Sequence, residues 1–275
     1  MATVKTQPVG NQGVNLSLLD IRVLAAYDHW QLTPSSIKLH DAGGANYALF
    51  GGSNFSFQTN GNTIEDVLSG TVMTLNIGLG GVNQIAFSGL NLSAKTFFDY
   101  FMAADTKGAW DYLFSGNDTI TGTQYADYLF GGAGNDTISG AVGNDAIEGN
   151  AGNDTLYGGQ GADILAGGTG ADSFVFESSR DSTVSASGRD TISDFKQTEK
   201  DLINLSALDA NTKVAGNQTY AFIGAEKFHK VAGELRYEKV GGDTLIHADM
   251  NGDGNADFSI LVDGSIDLKA TDFIL

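Results

Sequence analysis

The 275-residue chain contains no cysteine. Disulfide staples and thiolate zinc centres are therefore excluded, and the absence agrees with an extracellular protein that staples itself with metal. Proline is nearly missing, at two residues, whereas glycine reaches 37. That pairing argues for regularly placed tight turns rather than a Pro-rich linker. Basic residues are scarce: 15 Lys and Arg stand against 33 Asp and Glu, a formal net charge of −18. Nucleic acid and anionic lipid are poor partners for such a chain, whose carboxylates repel one another unless cations neutralise them. No stretch approaches ~18 uncharged apolar residues, so no transmembrane helix is expected. Met1 to Gly13 lacks a basic start followed by an apolar run, so no Sec-type signal peptide is visible. With 41% hydrophobic residues the chain can bury a core and is not wholly disordered.

What is present is a repeat. Steps of nine residues from Leu113 give LFSGNDTIT, GTQYADYLF, GGAGNDTIS, GAVGNDAIE, GNAGNDTLY, GGQGADILA and GGTGADSFV. The sixth position is always Asp: Asp118, Asp127, Asp136, Asp145, Asp154, Asp163 and Asp172. The eighth is always apolar, from Ile120 and Leu129 to Leu165 and Phe174. The fourth is Gly except at Tyr125. The register then fades without breaking, since Asp181 and Asp190 follow at the same step, with Gly188 and Ile192 in their expected slots. A flexible Gly/Asn/Asp linker would keep this composition and lose the register.

This pattern suits calcium, a hard cation that takes six to eight oxygens at roughly 2.3–2.6 Å. Gly132, Gly134, Gly143, Gly152, Gly159, Gly161, Gly168 and Gly170 permit positive φ, so that backbone carbonyls can turn inward toward one centre. Each sixth-position Asp adds a carboxylate. The next three residues form a short strand with its central apolar side chain inward. Two nonapeptides then make one coil. Asp118, Asp136, Asp154, Asp172 and Asp190 are expected along one edge, and Asp127, Asp145, Asp163 and Asp181 along the other. Stacked carboxylates ~4.8 Å apart repel, and a divalent ion between each pair turns repulsion into bridging. Roughly five to seven calcium ions are expected. The thin interior buries too little apolar area to offset chain ordering alone, so metal binding must supply folding energy.

The flanks read differently. In residues 1–112, apolar stretches at Ile21–Ala26, Tyr47–Phe50, Asn54–Gln58, Thr71–Ile77 and Gln84–Phe87 alternate with Gly/Asn/Ser punctuation, as in a small antiparallel β domain. Phe97, Phe98, Phe101 and Met102 recur at helical spacing behind the N-cap candidate Ser93, predicting a closing helix over 94–105 that covers the open end of the repeats. After the repeats, Tyr220–Ile223, Glu234–Tyr237, Thr244–His247 and Phe258–Val262 read as strands. The expected fold is mainly all-β. A parallel β-roll over 113–193 is flanked by an N-terminal β domain with one helix (1–112) and a β-rich C-terminal cap (194–275).

The nonapeptides resemble the RTX (repeats-in-toxin) calcium-binding family. The stretches DTISDFKQTEKDLINLSAL, FIGAEKFHKVAGELRY and HADMNGDGNADFSILVDG resemble the C-terminal domain of serralysin-type secreted metalloproteases, with Asn204 where that family usually carries Asp. The resemblance implies export from a Gram-negative bacterium through type I secretion machinery on an uncleaved C-terminal signal, which Asp272-Phe273-Ile274-Leu275 fits. It also implies folding only on meeting extracellular calcium. The serralysin zinc motif HExxH is missing, since His29, His40, His229 and His247 belong to no such motif. The protease reading is therefore rejected, and Met1 is read as the start of the chain.

Other constellations are weaker. Asp249, Asn251, Asp253 and Asp257 follow EF-hand spacing with Gly254 near the centre, but Ile260 stands where the bidentate Glu belongs, so a metal-free hairpin turn competes with a weak calcium site. No GxSxG nucleophile motif occurs. Glu65, Asp66 and Glu148 could form a glycosidase pair only if they converge. Trp30, Trp110 and Tyr112 could stack on a sugar, although aromatics are more often core. The leading function is thus a non-enzymatic, secreted calcium-binding protein acting on a surface, matrix or host through residues 1–112. A polysaccharide-binding or polysaccharide-modifying protein is the alternative, because related repeats accompany alginate-modifying enzymes. A calcium-assembled array protein is a third.

Overall fold

The computed structural model describes residues 3–6, 29–33, 35–40, 47–60, 63–79, 82–88, 90–103 and 105–275. Its centre is a parallel β-roll. One wall stacks the short strands Thr119–Thr121, Thr137–Ser139, Thr155–Tyr157, Ser173–Val175, Leu202–Asn204 and Phe273–Ile274. The other stacks Tyr128–Ala133, Ala146–Ala151, Ile164–Thr169, Thr191–Ile192 and Phe258–Val262. The alternation within each strand turns one residue inward. Those inward residues form two ladders, Ile120–Ile138–Leu156–Phe174–Ile203 and Leu129–Ile147–Leu165–Ile192–Val262, in register and almost wholly buried. This is the thin apolar interior that the eighth position of the repeat demands.

Both walls continue into the flanks. At the N-terminal end Thr3–Thr6 runs parallel to Thr119–Thr121 and antiparallel to Val82–Ser88. Beyond it lie the long strands Thr63–Leu79 and Tyr47–Asn60, then Ser36–His40 and His29–Thr33, all antiparallel. The predicted stretches Tyr47–Phe50 and Asn54–Gln58 are one strand, kept whole by register shifts at Gly51/Gly52 and Ser53/Ser56. The predicted strand Ile21–Ala26 lies outside the described residues. At the C-terminal end Phe258–Val262 pairs antiparallel with Asp243–Asp249, which pairs in turn with Glu234–Val240.

The helical segment departs from its predicted bounds. A first helix covers Ala94–Met102, with Ser93 Oγ accepting the Thr96 N–H at 3.2 Å as an N-cap. Its Phe97 and Phe98 pack on Phe50, with ring centroids 5.6 and 5.0 Å away. Rather than running on to 105, the chain turns and starts a second helix, Thr106–Leu113. Asp105 caps it by accepting the Gly108 N–H at 2.9 Å. The last residue of this helix, Leu113, is the residue from which the repeat was counted, so the first nonapeptide begins as a helix end.

Candidate metal centre

The repeat aspartates form two vertical rows, each buried to within a few per cent. Along one edge Asp118 N–H donates to Asp136 Oδ1 at 2.7 Å, Asp136 to Asp154 at 2.8 Å and Asp154 to Asp172 at 2.9 Å. Along the other, Asp127 donates to Asp145 and Asp145 to Asp163, both at 2.8 Å. One carboxylate oxygen of each acceptor thus ties its coil to the coil before it. The other oxygen is different. Oδ2 of Asp136, Asp145, Asp154, Asp163, Asp172 and Asp190 is buried and has no hydrogen-bond partner. A buried carboxylate oxygen without a donor is costly.

Oδ2 of Asp136, Asp145 and Asp154 faces the carbonyls of Gly149, Gly158 and Gly167 across a space too small for a methyl group. A Cβ at Gly158 would stand 2.5 Å from Asp163 Oδ2. A Cβ at Gly149 would stand 2.5 Å from the Gly167 carbonyl oxygen and would collide with Asp154 Oδ2. Two acceptor types converging at this range, with no donor between them, match the oxygen-only shell that calcium takes. Gly132, Gly134, Gly143, Gly152, Gly159, Gly161, Gly168 and Gly170 all have positive φ. At Gly152 and Gly170 a Cβ would run into the carbonyl of the glycine one coil earlier, so stacking at strand spacing forbids a side chain there. Among the described residues no three Asp, Glu or His side chains converge as a metal cluster. A site built on two carboxylates and several carbonyls needs no such cluster.

The crowding is felt in the ionisation of the rows. Burial pushes the carboxyls of Asp136 and Asp163 up to about 7, with neighbouring carboxylates adding to the effect and a backbone N–H opposing it. Burial likewise raises Asp145 and Asp172 to about 6. Asp190, the most enclosed, is pushed up to about 9, by burial first and then by Asp163.

After Asp172 the rows depart from the nine-residue arithmetic. Asp190 does not follow Asp172. It follows Asp163, whose N–H donates to Asp190 Oδ1 at 2.9 Å across 27 residues. Asp181 stands in neither row: its Oδ2 accepts the N–H groups of Glu177 and Ser178 at 2.8 and 2.9 Å, closing a turn outside the roll. The reason is local. The segment FESSRDSTV has no glycine at its turn positions and offers Thr183 where an apolar residue must point inward. It therefore loops out, and the chain re-enters at Asp190 with Ile192 inward. The place after Asp172 goes to Asp201, whose Oδ1 accepts the Asp172 N–H at 3.1 Å.

The sequence reading missed Asp201 and two companions. Asp194 accepts the Gly167 and Gly168 N–H groups, both at 2.8 Å, and Glu199 accepts that of Gly170 at 3.1 Å. Lys196 Nζ reaches the Gly168 carbonyl at 2.5 Å. Together they close the last turn of one edge with side chains instead of another repeat. The signal was present in Asp201-Leu-Ile203, an Asp two residues ahead of an inward apolar residue. A second missed ladder runs through the fifth position, where Asn117, Asn135 and Asn153 accept the N–H of the residue one coil later at 2.8 Å.

The remaining candidates are satisfied locally. Asp249 accepts N–H groups from Asn251, Gly252 and Gly254, and Asp257 accepts those of Met250 and Asn251. Asn251 and Asp253 accept the N–H groups of Asp253 and Asn255. The loop's oxygens are thus turned to its own backbone. Asn204, in place of the usual Asp, accepts from Ser206 N–H and Oγ at 3.0 and 2.7 Å. His229 pairs with Glu234. His247 lies 2.6 Å from Ser259 Oγ and 3.6 Å from Glu238, but Ser259 is fully buried within the sheet and out of a substrate's reach. Tyr112 is used structurally, its hydroxyl accepting the Ser93 N–H at 2.9 Å. The side chains of Glu65, Asp66, Trp30, His29 and His40 lie outside the described residues. No helix among the described residues is long and apolar enough to cross a membrane.

Comparison with curated proteins gives no match. Among solved structures the chain is similar to the AlgE6R2 subunit of the Azotobacter vinelandii mannuronan C5-epimerase, at 27% identity, covering 57% of this chain and 92% of that one with a TM-score of 0.43. It is also similar to the AlgE6R3 subunit of the same enzyme, at 24% identity, 58% and 80% coverage and a TM-score of 0.29. The profile of the Peptidase M10 serralysin C terminal family matches residues 54–275. The chain belongs to that family and is an RTX-type calcium-binding protein.

Proposed function

We propose that this protein is secreted, that its roll folds around calcium outside the cell, and that it then presents its N-terminal β region to a surface, matrix or host partner. The observation that carries this reading is the set of six buried carboxylate oxygens with no donor, five of them, from Asp136 to Asp172, against a turn glycine. Calcium would supply the positive charge those turns lack. The residues that would hold it are Asp118, Asp127, Asp136, Asp145, Asp154, Asp163, Asp172 and Asp190, with Asp201 closing one row and the carbonyls of the turn glycines completing the shell. The corrected rows still contain seven stacked pairs, which supports five to seven ions. Secretion is supported by membership of the serralysin C-terminal family. Sites with the Kd of roughly 10⁻⁴–10⁻³ M typical of extracellular modules would stay empty in the cytosol, leaving the acidic chain extended, and would fill outside the cell.

The test is a calcium titration of the metal-free full chain, followed by circular dichroism and calorimetry. A cooperative gain of β signal with five to seven ions per chain is expected. Identical spectra in calcium and in chelator would sink the reading.

A further inference from the structure

The calcium rows leave unused a cavity of about 340 Å³ where the second helix meets the first coils of the roll. Four aromatic residues line it, Trp110 and Phe114 from the helix end and Tyr128 and Phe130 from the roll, together with the carboxylates of Asp111 and Glu148. The walls are fixed relative to one another. The Phe114 carbonyl accepts the Ala133 N–H at 2.8 Å, and the Phe114 ring lies 4.9 Å from Phe130 and 5.9 Å from Trp110. Glu148 sits beside Phe130 in strand register, and the Tyr128 hydroxyl donates to Glu148 Oε1 at 2.6 Å. Asp111 is ion-paired with Lys107 on the helix surface. Glu148 has no cationic partner among the described residues, and no Lys or Arg lines the cavity.

We propose that this cavity binds a quaternary ammonium group of the kind carried by choline. Aromatic faces present the negative side of their quadrupole, which attracts a cation whose own surface is apolar. Glu148 adds a full charge held in place by Tyr128, and the hydrogen bond to Glu148, with burial behind it, keeps that phenol protonated as a donor. A metal ion would compete with Tyr128 for Glu148 and with Lys107 for Asp111, and beyond the Tyr128 hydroxyl the four rings offer no oxygens where calcium takes six to eight. A uronic acid or phosphate is repelled by Glu148, and a neutral sugar could stack on the rings but gains nothing from the charge. The net charge of −18 raises the local concentration of cations over anions.

The experiment titrates the calcium-loaded full chain with choline, with its uncharged isostere 3,3-dimethyl-1-butanol and with methyl glucoside, by calorimetry and tryptophan fluorescence. Choline is expected to saturate in the millimolar range and to bind about tenfold more tightly than the isostere. Glu148→Gln preserves the shape and an acceptor for Tyr128, and should weaken choline about tenfold while the calcium-induced circular dichroism stays unchanged. Trp110→Leu should weaken choline and isostere together. Co-sedimentation with phosphatidylcholine vesicles would place the group on a lipid, and binding of free choline without co-sedimentation would place it on a soluble carrier; both support the proposal. Equal affinity for choline and the isostere, no saturation by choline, an unaltered Glu148→Gln variant, or saturation by the glucoside alone would overturn it.

Discussion

Asp154 and Asp181 occupy the same slot of the nine-residue period and stand in different chemistry. Asp154 links two coils through one oxygen and leaves the other without a donor inside a glycine turn. Asp181 has both its partners in its own loop. Asp154→Ala should therefore remove a shared ligand and raise the calcium midpoint about threefold to tenfold. Asp181→Ala should leave the number of bound ions unchanged. Calorimetry on both variants checks this, and a lost ion in Asp181→Ala would show that the loop carries a site. Gly152 marks the other half of the turn. Its φ is +132°, and a methyl there would strike the Gly134 carbonyl. Gly152→Ala should destabilise the calcium-loaded roll by about 1–3 kcal/mol, read from thermal unfolding.

At the scale of the element, legibility followed how locally each structure is determined. Each roll strand is set by one aspartate, one inward apolar residue and a glycine turn, all within nine residues, so the walls and both aspartate rows as far as Asp172 could be read directly. The exit from the roll could not be counted in nines, because the failed turn of FESSRDSTV is absorbed by contacts distant in sequence. Ser182 is the key contact. Fully buried, it donates to the Ser259 carbonyl at 2.5 Å and accepts the Asp190 N–H at 2.8 Å, which anchors the loop and delivers Asp190 to its row. Ser182→Ala strands a buried N–H and should cost about 1–3 kcal/mol, with the loss concentrated in the coil that contains Asp190. Hydrogen exchange at Thr191 and Ile192 is the readout, and unchanged protection there would contradict it. The second helix was missed for a related reason: Thr106 to Leu113 spans only eight residues with Gly108 in its first turn, and Trp110 packs on the C-cap Phe114, which packs in turn on Phe130 of a later repeat.

For the whole molecule, calcium and protons compete for the same carboxylates. The rows are stacked so closely, and so far from water, that five aspartates are held at about 6 to about 9. In the unfolded chain the same groups ionise near 4. Between those limits the metal-free folded roll binds more protons than the unfolded chain, so its stability is greatest at acid pH and falls as pH rises through the window from about 4 to about 9. Calcium reverses the sign. An ion needs the ionised carboxylates and displaces their protons, so its apparent affinity climbs across the same window. The metal-free chain, extended at pH 8, should therefore gain β signal as the pH is lowered to 5, while in excess calcium the thermal midpoint rises from pH 5 to pH 8. Proton release on calcium binding, measured in two buffers of different ionisation enthalpy, should be larger at pH 6 than at pH 8. A metal-free β signal indifferent to pH would mean that protons cannot stand in for the ion, and that repulsion among these ionised carboxylates is not what keeps the metal-free roll open.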